Sequence, residues 1–281
     1  MSYLNRDGAK LYYETVGEGP VFIFIPGANG TGNIFAGAAK LMQEHFKVVM
    51  FDRRGYGKSE LTKPLPDEAS EIDSTYRLKT DASDVAALAK ELSPDEPVYI
   101  TGSSSGSIVA METLQDYPEV VKQIAFHEPP INSFLPNAKE DQASNNAIVK
   151  AAFEQDMGVA MKEFGKFMRI SPIDAKMMSK PAAKLEGNDD PAVKGMKYWF
   201  QYEIRQYTSR KMDIDKLKQY RDRISLLNGT DSRGSYPQDV NQFLAKYWDV
   251  TIYDIPGAHL GYAQKPEGFA TTLEAIFRSK N

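Results

Sequence analysis

The chain has no cysteine among its 281 residues. That absence removes disulfides, thiolate metal sites and a cysteine nucleophile together. It has only three histidines, so chemistry that needs an imidazole has few places to find one. No apolar run reaches about 18 residues, so no membrane-spanning helix is expected. Basic residues form no cluster and the formal net charge is -4, which argues against nucleic acid as a partner. The opening stretch, Met1-Ser2-Tyr3-Leu4-Asn5-Arg6-Asp7, lacks the apolar core of a secretion signal, so a cytoplasmic location is the default expectation.

What is present supports a packed core. Hydrophobic residues make up 42% and charged residues 26%, the balance of an ordinary globule rather than of a disordered chain. A chain of this length buries roughly three quarters of its unfolded surface, enough for one large α/β domain or a core with an insertion.

Short apolar runs alternate with helix-compatible stretches. Tyr3-Leu4-Asn5 and Ala9 to Val16 flank Asp7-Gly8 and read as a hairpin. Val21-Phe22-Ile23-Phe24-Ile25 is apolar at every position, as a strand covered on both faces must be. Further strands are expected at Lys47 to Phe51, Val98 to Gly102, Val121 to Phe126, Ile224 to Asn228 and Val250 to Ile255. Helical patterns separate most of them, which predicts a mostly parallel sheet with helices on both faces. Between Ile131 and Tyr220 no all-apolar strand occurs. That stretch is amphipathic and rich in Met and aromatic residues, so a helical cap over 132–218 is expected, inserted in a core made of 1–131 and 219–281. Ligands in such sheets sit at the carboxyl ends of the strands, the edge from which the insertion leaves.

One of those ends carries Gly102-Ser103-Ser104-Ser105-Gly106. Gly-x-Ser-x-Gly between a strand and a helix is the pattern of a sharp turn that exposes the central hydroxyl. Ser104 is therefore the candidate nucleophile. A neutral hydroxyl needs a base, and the base needs an acid to hold its tautomer. His45 falls at the opposite edge of the sheet and reads as a surface residue. His127 ends a strand beside Glu128 and reads as structural. His259, in Gly257-Ala258-His259-Leu260-Gly261 after the last strand, lies at the correct edge and is the candidate base. Glu128 and Asp231 are both placed to be the acid, with Glu128 preferred, Asp231 the alternative and Asp254 a distant third. The N–H groups of Ala28 and Ser105 are the candidate oxyanion donors, since a developing oxyanion needs preorganised dipoles.

Taken together these pieces resemble the α/β-hydrolase superfamily over nearly the whole chain. The matching stretches are Pro26-Gly27-Ala28, Asp52-Arg53-Arg54-Gly55-Tyr56-Gly57-Lys58-Ser59, Gly102 to Gly106, Asn228-Gly229-Thr230-Asp231, and Pro256-Gly257-Ala258-His259 followed by Pro266-Glu267. The resemblance implies an eight-stranded, mostly parallel sheet with a cap between the sixth and seventh strands. Two departures stand out. The usual oxyanion loop begins His-Gly, and here it begins Pro26-Gly27. The usual place of the acid holds Ser232, with Asp231 one residue short. Some members carry the acid after the sixth strand, at the position of Glu128. The fungal zearalenone lactonases are such a group, and Ser103-Ser104-Ser105-Gly106 and His127-Glu128-Pro129-Pro130 are similar to their stretches. That likeness favours Glu128 and a lactone or ester substrate.

Gly27, Asn29, Tyr198, Trp199 and Tyr202 are the candidate substrate-binding residues. A Met-rich cap adapts to irregular apolar ligands, so the expected partner is a small apolar ester or lactone, with a homodimer as the candidate assembly and neither nucleic acid nor membrane involved. No cofactor and no metal are required by an acyl-enzyme route. Two alternatives remain: a C–C hydrolase, thioesterase or amidase using the same triad, and a ligand-binding protein that keeps the fold with little turnover.

Overall fold

A computed structural model describes residues 2–179 and 182–280. Nine strands form one sheet. Eight run in line: β1 (Ser2–Arg6), β2 (Ala9–Val16), β4 (Lys47–Phe51), β3 (Val21–Ile25), β6 (Val98–Ser103), β7 (Val121–His127), β8 (Ile224–Gly229) and β9 (Ile252–Ile255). The two-residue β5 (Glu60–Leu61) pairs with β2 off that path. The hairpin β1–β2 is antiparallel, as is the pairing of β2 with β4. Every pairing from β4 through β9 is parallel.

All five residues of β3 are buried, because successive side chains point to opposite faces and both faces are covered. Ile23 and Ile25 enter one apolar cluster. Phe22 and Phe24 enter the other. The first cluster lies against α2 (Tyr76–Leu92), α3 (Ser105–Asp116) and α10 (Tyr236–Trp248). The second lies against α1 (Ala36–Met42) and α12 (Pro266–Arg278), with the short α11 (Gly261–Gln264) between β9 and α12.

Among the described residues six α-helices lie between β7 and β8: α4 (Ala138–Glu154), α5 (Met157–Met168), α6 (Pro172–Met178), α7 (Pro191–Tyr202), α8 (Ile204–Thr208) and α9 (Ile214–Lys218). Four of them start on a side-chain cap. Asp156 accepts from Val159 N, Ser171 from Asp174 N, Asp190 from Ala192 N and Val193 N, and Asp213 from Lys216 N. Such a cap satisfies N–H groups that the first turn leaves unpaired and contributes about 1 kcal/mol each. Phe164, Trp199, Phe200 and Tyr207 from these helices share the first cluster with Ile25, Ile100 and Ile108. The helical segment therefore has no core of its own.

A buried ionic cluster joins the segment to the sheet. The Arg53 guanidinium donates to Asp81 at 2.7 Å and to Glu203 at 2.8 Å. Arg77 reaches Asp81 at 3.2 Å and Glu203 at 3.4 Å. Tyr207 donates to Asp81 and Tyr56 to Glu203. Breaking one partner of such a set leaves a charge unpaired in the interior, at a cost of about 3–5 kcal/mol. Among the described residues no helix is long and apolar enough to cross a membrane.

Candidate active site

The site begins at the junction of β6 and α3. Ser104 stands between them with φ 56° and ψ -126°, a conformation that costs a non-glycine residue about 1–3 kcal/mol. The neighbours leave no room for anything but glycine on either side. A Cβ on Gly102 would meet Gly106 O at 2.3 Å, and one on Gly106 would meet Ile25 O at 2.2 Å. Hydrogen bonds hold the turn closed. Ser104 N donates to His127 O at 2.9 Å, and Ser107 Oγ donates to Gly102 O at 2.7 Å and His127 O at 2.9 Å.

Glu128 follows β7 directly and also has a positive φ, 49°. Its carboxylate is fully buried. Oε2 lies 2.6 Å from His259 Nδ1. Oε1 accepts from Gly229 N and Gln238 Nε2, both at 2.9 Å, and from the Ser232 hydroxyl. A carboxylate only accepts, so His259 carries its proton on Nδ1 and leaves Nε2 as the free lone pair. Burial opposes charge on Glu128, yet the His259 hydrogen bond and the nearby imidazoles hold its pKa down at about 2. Burial likewise opposes charge on His259, but the Glu128 hydrogen bond and charge, aided by Asp174, raise its pKa above the ordinary value.

Asp231 is elsewhere. Its side chain pairs with Lys265 at 2.6 Å and accepts from Thr230 Oγ1 at 2.9 Å. Asp254 pairs with Arg233 at 2.5 Å. His45 pairs with Glu274 at 3.2 Å on the far side of the sheet. His127 is fully buried with its Nδ1 3.0 Å from Ser103 Oγ. Its ring packs edge-on against Tyr262 and Phe269, and burial pushes its pKa down to about 4.

Ser104 and His259 both line a cavity of about 200 Å³, together with Gly27, Ala28 and Asn29 from the loop after β3. The opposite wall comes from the helical segment: Met161 and Phe164 of α5, Met177 and Met178 of α6, Met196 and Trp199 of α7. Ile34, Leu260 and Tyr262 complete it, and among the described residues no Asp, Glu, Lys or Arg lines it. The loop after β3 is pinned from beneath. Gly27 O accepts from Arg53 Nη2 at 2.8 Å and from Gly30 N at 2.9 Å. In a trans peptide the C=O and N–H point opposite ways, so this pin also orients the N–H of Ala28. A Cβ at Gly27 would press on Ser104 Cβ at 3.0 Å. Ser105 is the first residue of α3, and a first-turn N–H has no partner within its own helix.

A family model described as the alpha/beta hydrolase fold matches residues 20–225. The chain belongs to the α/β-hydrolase family. Along 99% of its length it is similar, at 27% identity, to an uncharacterized hydrolase, YraK, of Bacillus subtilis strain 168, of which it covers 96%. Among solved structures, a thermophilic esterase from Thermogutta terrifontis superposes with a TM-score of 0.68 at 15% identity, over 97% of this chain and 94% of that one. Est816, described as an N-acyl homoserine lactone degrading enzyme, superposes with a TM-score of 0.65 at 18% identity, over 98% of this chain and 100% of that one. At these identities the structural matches speak to the fold.

Within this α/β-hydrolase, Ser232 occupies the place where the resemblance expects an acid, and its hydroxyl donates to Glu128 instead. Two expected cavity residues are not there. Tyr198 packs against Tyr56 with ring centroids 5.1 Å apart, and Tyr202 packs on Tyr198. The reason is helical geometry. Positions 198 and 202 share one face of α7, while 196 and 199 share another, and only the latter faces the cavity. The wall methionines and Phe164 were not singled out in the sequence, because period alone does not say which stripe of a helix meets which neighbour. Gln238 and Asp174, both touching the His259–Glu128 unit, carried no motif at all.

Proposed function

We propose that this α/β-hydrolase is a serine hydrolase that cleaves an uncharged carboxylic ester or lactone with a small apolar acyl group. The observation that carries the reading is Ser104, on its strained turn, sharing an apolar cavity with a histidine whose Nδ1 is held by a buried glutamate. Ser104 Oγ attacks the substrate carbonyl while His259 Nε2 takes its proton. The N–H groups of Ala28 and Ser105 receive the oxyanion. His259 then gives the proton to the leaving alkoxide, the C–O bond breaks, and an acyl group remains on Ser104. Water, deprotonated by His259, attacks that acyl group; the bond from the acyl carbon to Ser104 Oγ breaks, His259 returns its proton to Ser104 Oγ, and the carboxylic acid leaves. Glu128 stays ionised throughout, steadying the imidazolium.

The cavity's size and lining favour the substrate class. A space of about 200 Å³ walled by Met, Phe and Trp suits a short apolar acyl chain, and its described lining residues offer no cation to a charged one. The helices between β7 and β8 serve in this reading as the cap. That Est816 is described as acting on an N-acyl homoserine lactone is compatible with a lactone here. The test is turnover of p-nitrophenyl acetate and butyrate by wild type and Ser104→Ala. Saturable hydrolysis that disappears in the variant supports the reading; activity that survives unaltered contradicts it.

A further inference from the structure

Asp174 is the only buried residue of α6. Of the other residues of that helix only Met178 is half-buried, and the rest are exposed, Ile173 by 43% and Met177 by 45%. A surface helix ordinarily docks through an apolar stripe. This one docks through a carboxylate, and the partner is the loop that carries His259. Asp174 Oδ2 accepts from His259 N at 3.1 Å, and Oδ1 accepts from Leu260 N at 3.1 Å and from Gln264 Nε2 at 2.8 Å. Gln264 Oε1 in turn accepts from Ala258 N at 2.8 Å. Three consecutive backbone N–H groups, 258 to 260, are thus fixed by one carboxylate and the amide it orients. Ser171 Oγ, at the start of α6, donates to Asp174 Oδ2 at 2.7 Å, which holds the carboxylate in place from its own side.

The same helix supplies Met177 and Met178 to the cavity wall. We infer that Asp174 is a positioning residue that latches α6 onto the His259 loop, so that closing the cavity and mounting the base are a single event. This rests on the reading of Ser104 and His259 as the reacting pair. Glu128 fixes the ring from its Nδ1 side, and Asp174 fixes the backbone from which the ring hangs. Without the second anchor the loop gains freedom about the Glu128 contact, and Nε2 loses its fixed distance from the serine. Misplacement of a reacting group by about 1 Å costs about 10²-fold in rate.

The charge adds a second consequence. The titratable groups around the His259 ring are Glu128 and His127 at the end of β7, Asp174 on α6 and Tyr262 on α11. His127 is held neutral by burial, and burial raises the Tyr262 pKa, so both are uncharged near neutral pH. Removing the Asp174 charge therefore leaves Glu128 alone to stabilise the imidazolium. The His259 pKa falls, and the acid limb of kcat/KM moves to lower pH.

The test compares wild type, Asp174→Asn and Asp174→Ala. The Asn variant keeps the size and shape of the side chain, so it guards against loss of folding in the Ala variant. Two quantities are read: amide hydrogen exchange at His259 and Leu260, and kcat with its pH profile on p-nitrophenyl butyrate. The expected result is faster exchange confined to that loop and to α6, with kcat lowered about 10–10²-fold, KM little changed and the acid limb shifted down. Faster exchange with unchanged kcat would overturn the proposal, as would lower kcat with unchanged exchange, or no change in either. Ser104→Ala is run in parallel. If it keeps full turnover, the reading of the reacting pair fails, and the exchange data alone then decide whether the latch exists.

Discussion

Glu128 Oε2 lies 2.6 Å from His259 Nδ1, across 131 residues of sequence. Burial opposes the charge of the glutamate there, and its hydrogen bonds and the nearby imidazoles outweigh that and keep it ionised. Its second oxygen takes three donors, from Gly229, Ser232 and Gln238. The end of β8, the loop after it and the first turn of α10 therefore each give the carboxylate a donor. If Glu128 is the acid of the triad, Glu128→Ala lowers kcat by about 10²–10⁴-fold, as expected when a base loses the group that orients it. Asp231, half exposed and paired with Lys265, contributes less than about 1 kcal/mol to stability. Asp231→Ala keeps kcat near that of wild type. Steady-state kinetics on both variants check the pair.

The pH profile follows from the same contact. His259 must be neutral at Nε2 to accept the serine proton, and its pKa is held above the ordinary imidazole value, which is about 6.5. Activity therefore falls on the acid side as pH drops through a limb that lies above about 6.5. Glu128, with a pKa of about 2, stays ionised across that whole range. A kcat/KM profile between pH 5 and 9 measures the limb.

His127 governs acid stability through the opposite shift. Its pKa is lowered from 6.5 to about 4 in the folded state. Between those values the unfolded chain binds a proton that the folded chain refuses. Stability is therefore lost as pH falls through that window, by about 3 kcal/mol at most. His259 acts in the other sense, since its raised pKa favours the folded state below its unfolded value and that contribution is lost as pH rises through the folded one. Comparing wild type with His127→Gln isolates the first effect. The variant's urea midpoint is expected to fall less than that of wild type between pH 7 and 4.5.

Arg53 links the ionic cluster to the loop after β3. It pairs with Asp81 and Glu203 and donates to Gly27 O. Arg53→Met removes both functions: stability falls by about 3–5 kcal/mol as two buried carboxylates lose a partner. Arg53→Lys keeps one charge but cannot bridge three acceptors in the same plane. It is expected to fold and to lose at least about tenfold in kcat, up to the roughly 10²–10³-fold seen when one oxyanion donor is lost outright. Urea unfolding and kinetics on the two variants separate the contributions.

Much of this arrangement was legible in the sequence. Apolar runs such as Val21 to Ile25 announce buried strands because five residues between Gly19-Pro20 and Pro26-Gly27 are too short a run for a helix. Gly102 to Gly106 announces its turn because the two glycines are sterically required. The preference for Glu128 over Asp231 rested on local context and a family likeness, and the geometry puts Glu128 at His259. What was hidden depends on long-range packing. Which face of α7 meets the cavity is set by its neighbours, so Trp199 and Tyr198 could not be told apart. No local feature of Asp52-Arg53-Arg54-Gly55 says that the Arg53 side chain runs inward to Gly27, Asp81 and Glu203. Nothing local in Ser171-Pro172-Ile173-Asp174 says that the carboxylate closes on a loop 85 residues away.

Whether Ser104 is the nucleophile is decided by covalent labelling. Wild type is treated with diethyl p-nitrophenyl phosphate and the modified peptide is located by mass spectrometry. The expected result is one diethylphosphoryl group per chain, carried on Ser104, with esterase activity lost in proportion to labelling and no modification of Ser104→Ala. A label on another residue that tracks the loss of activity, or full activity retained by Ser104→Ala, would contradict it.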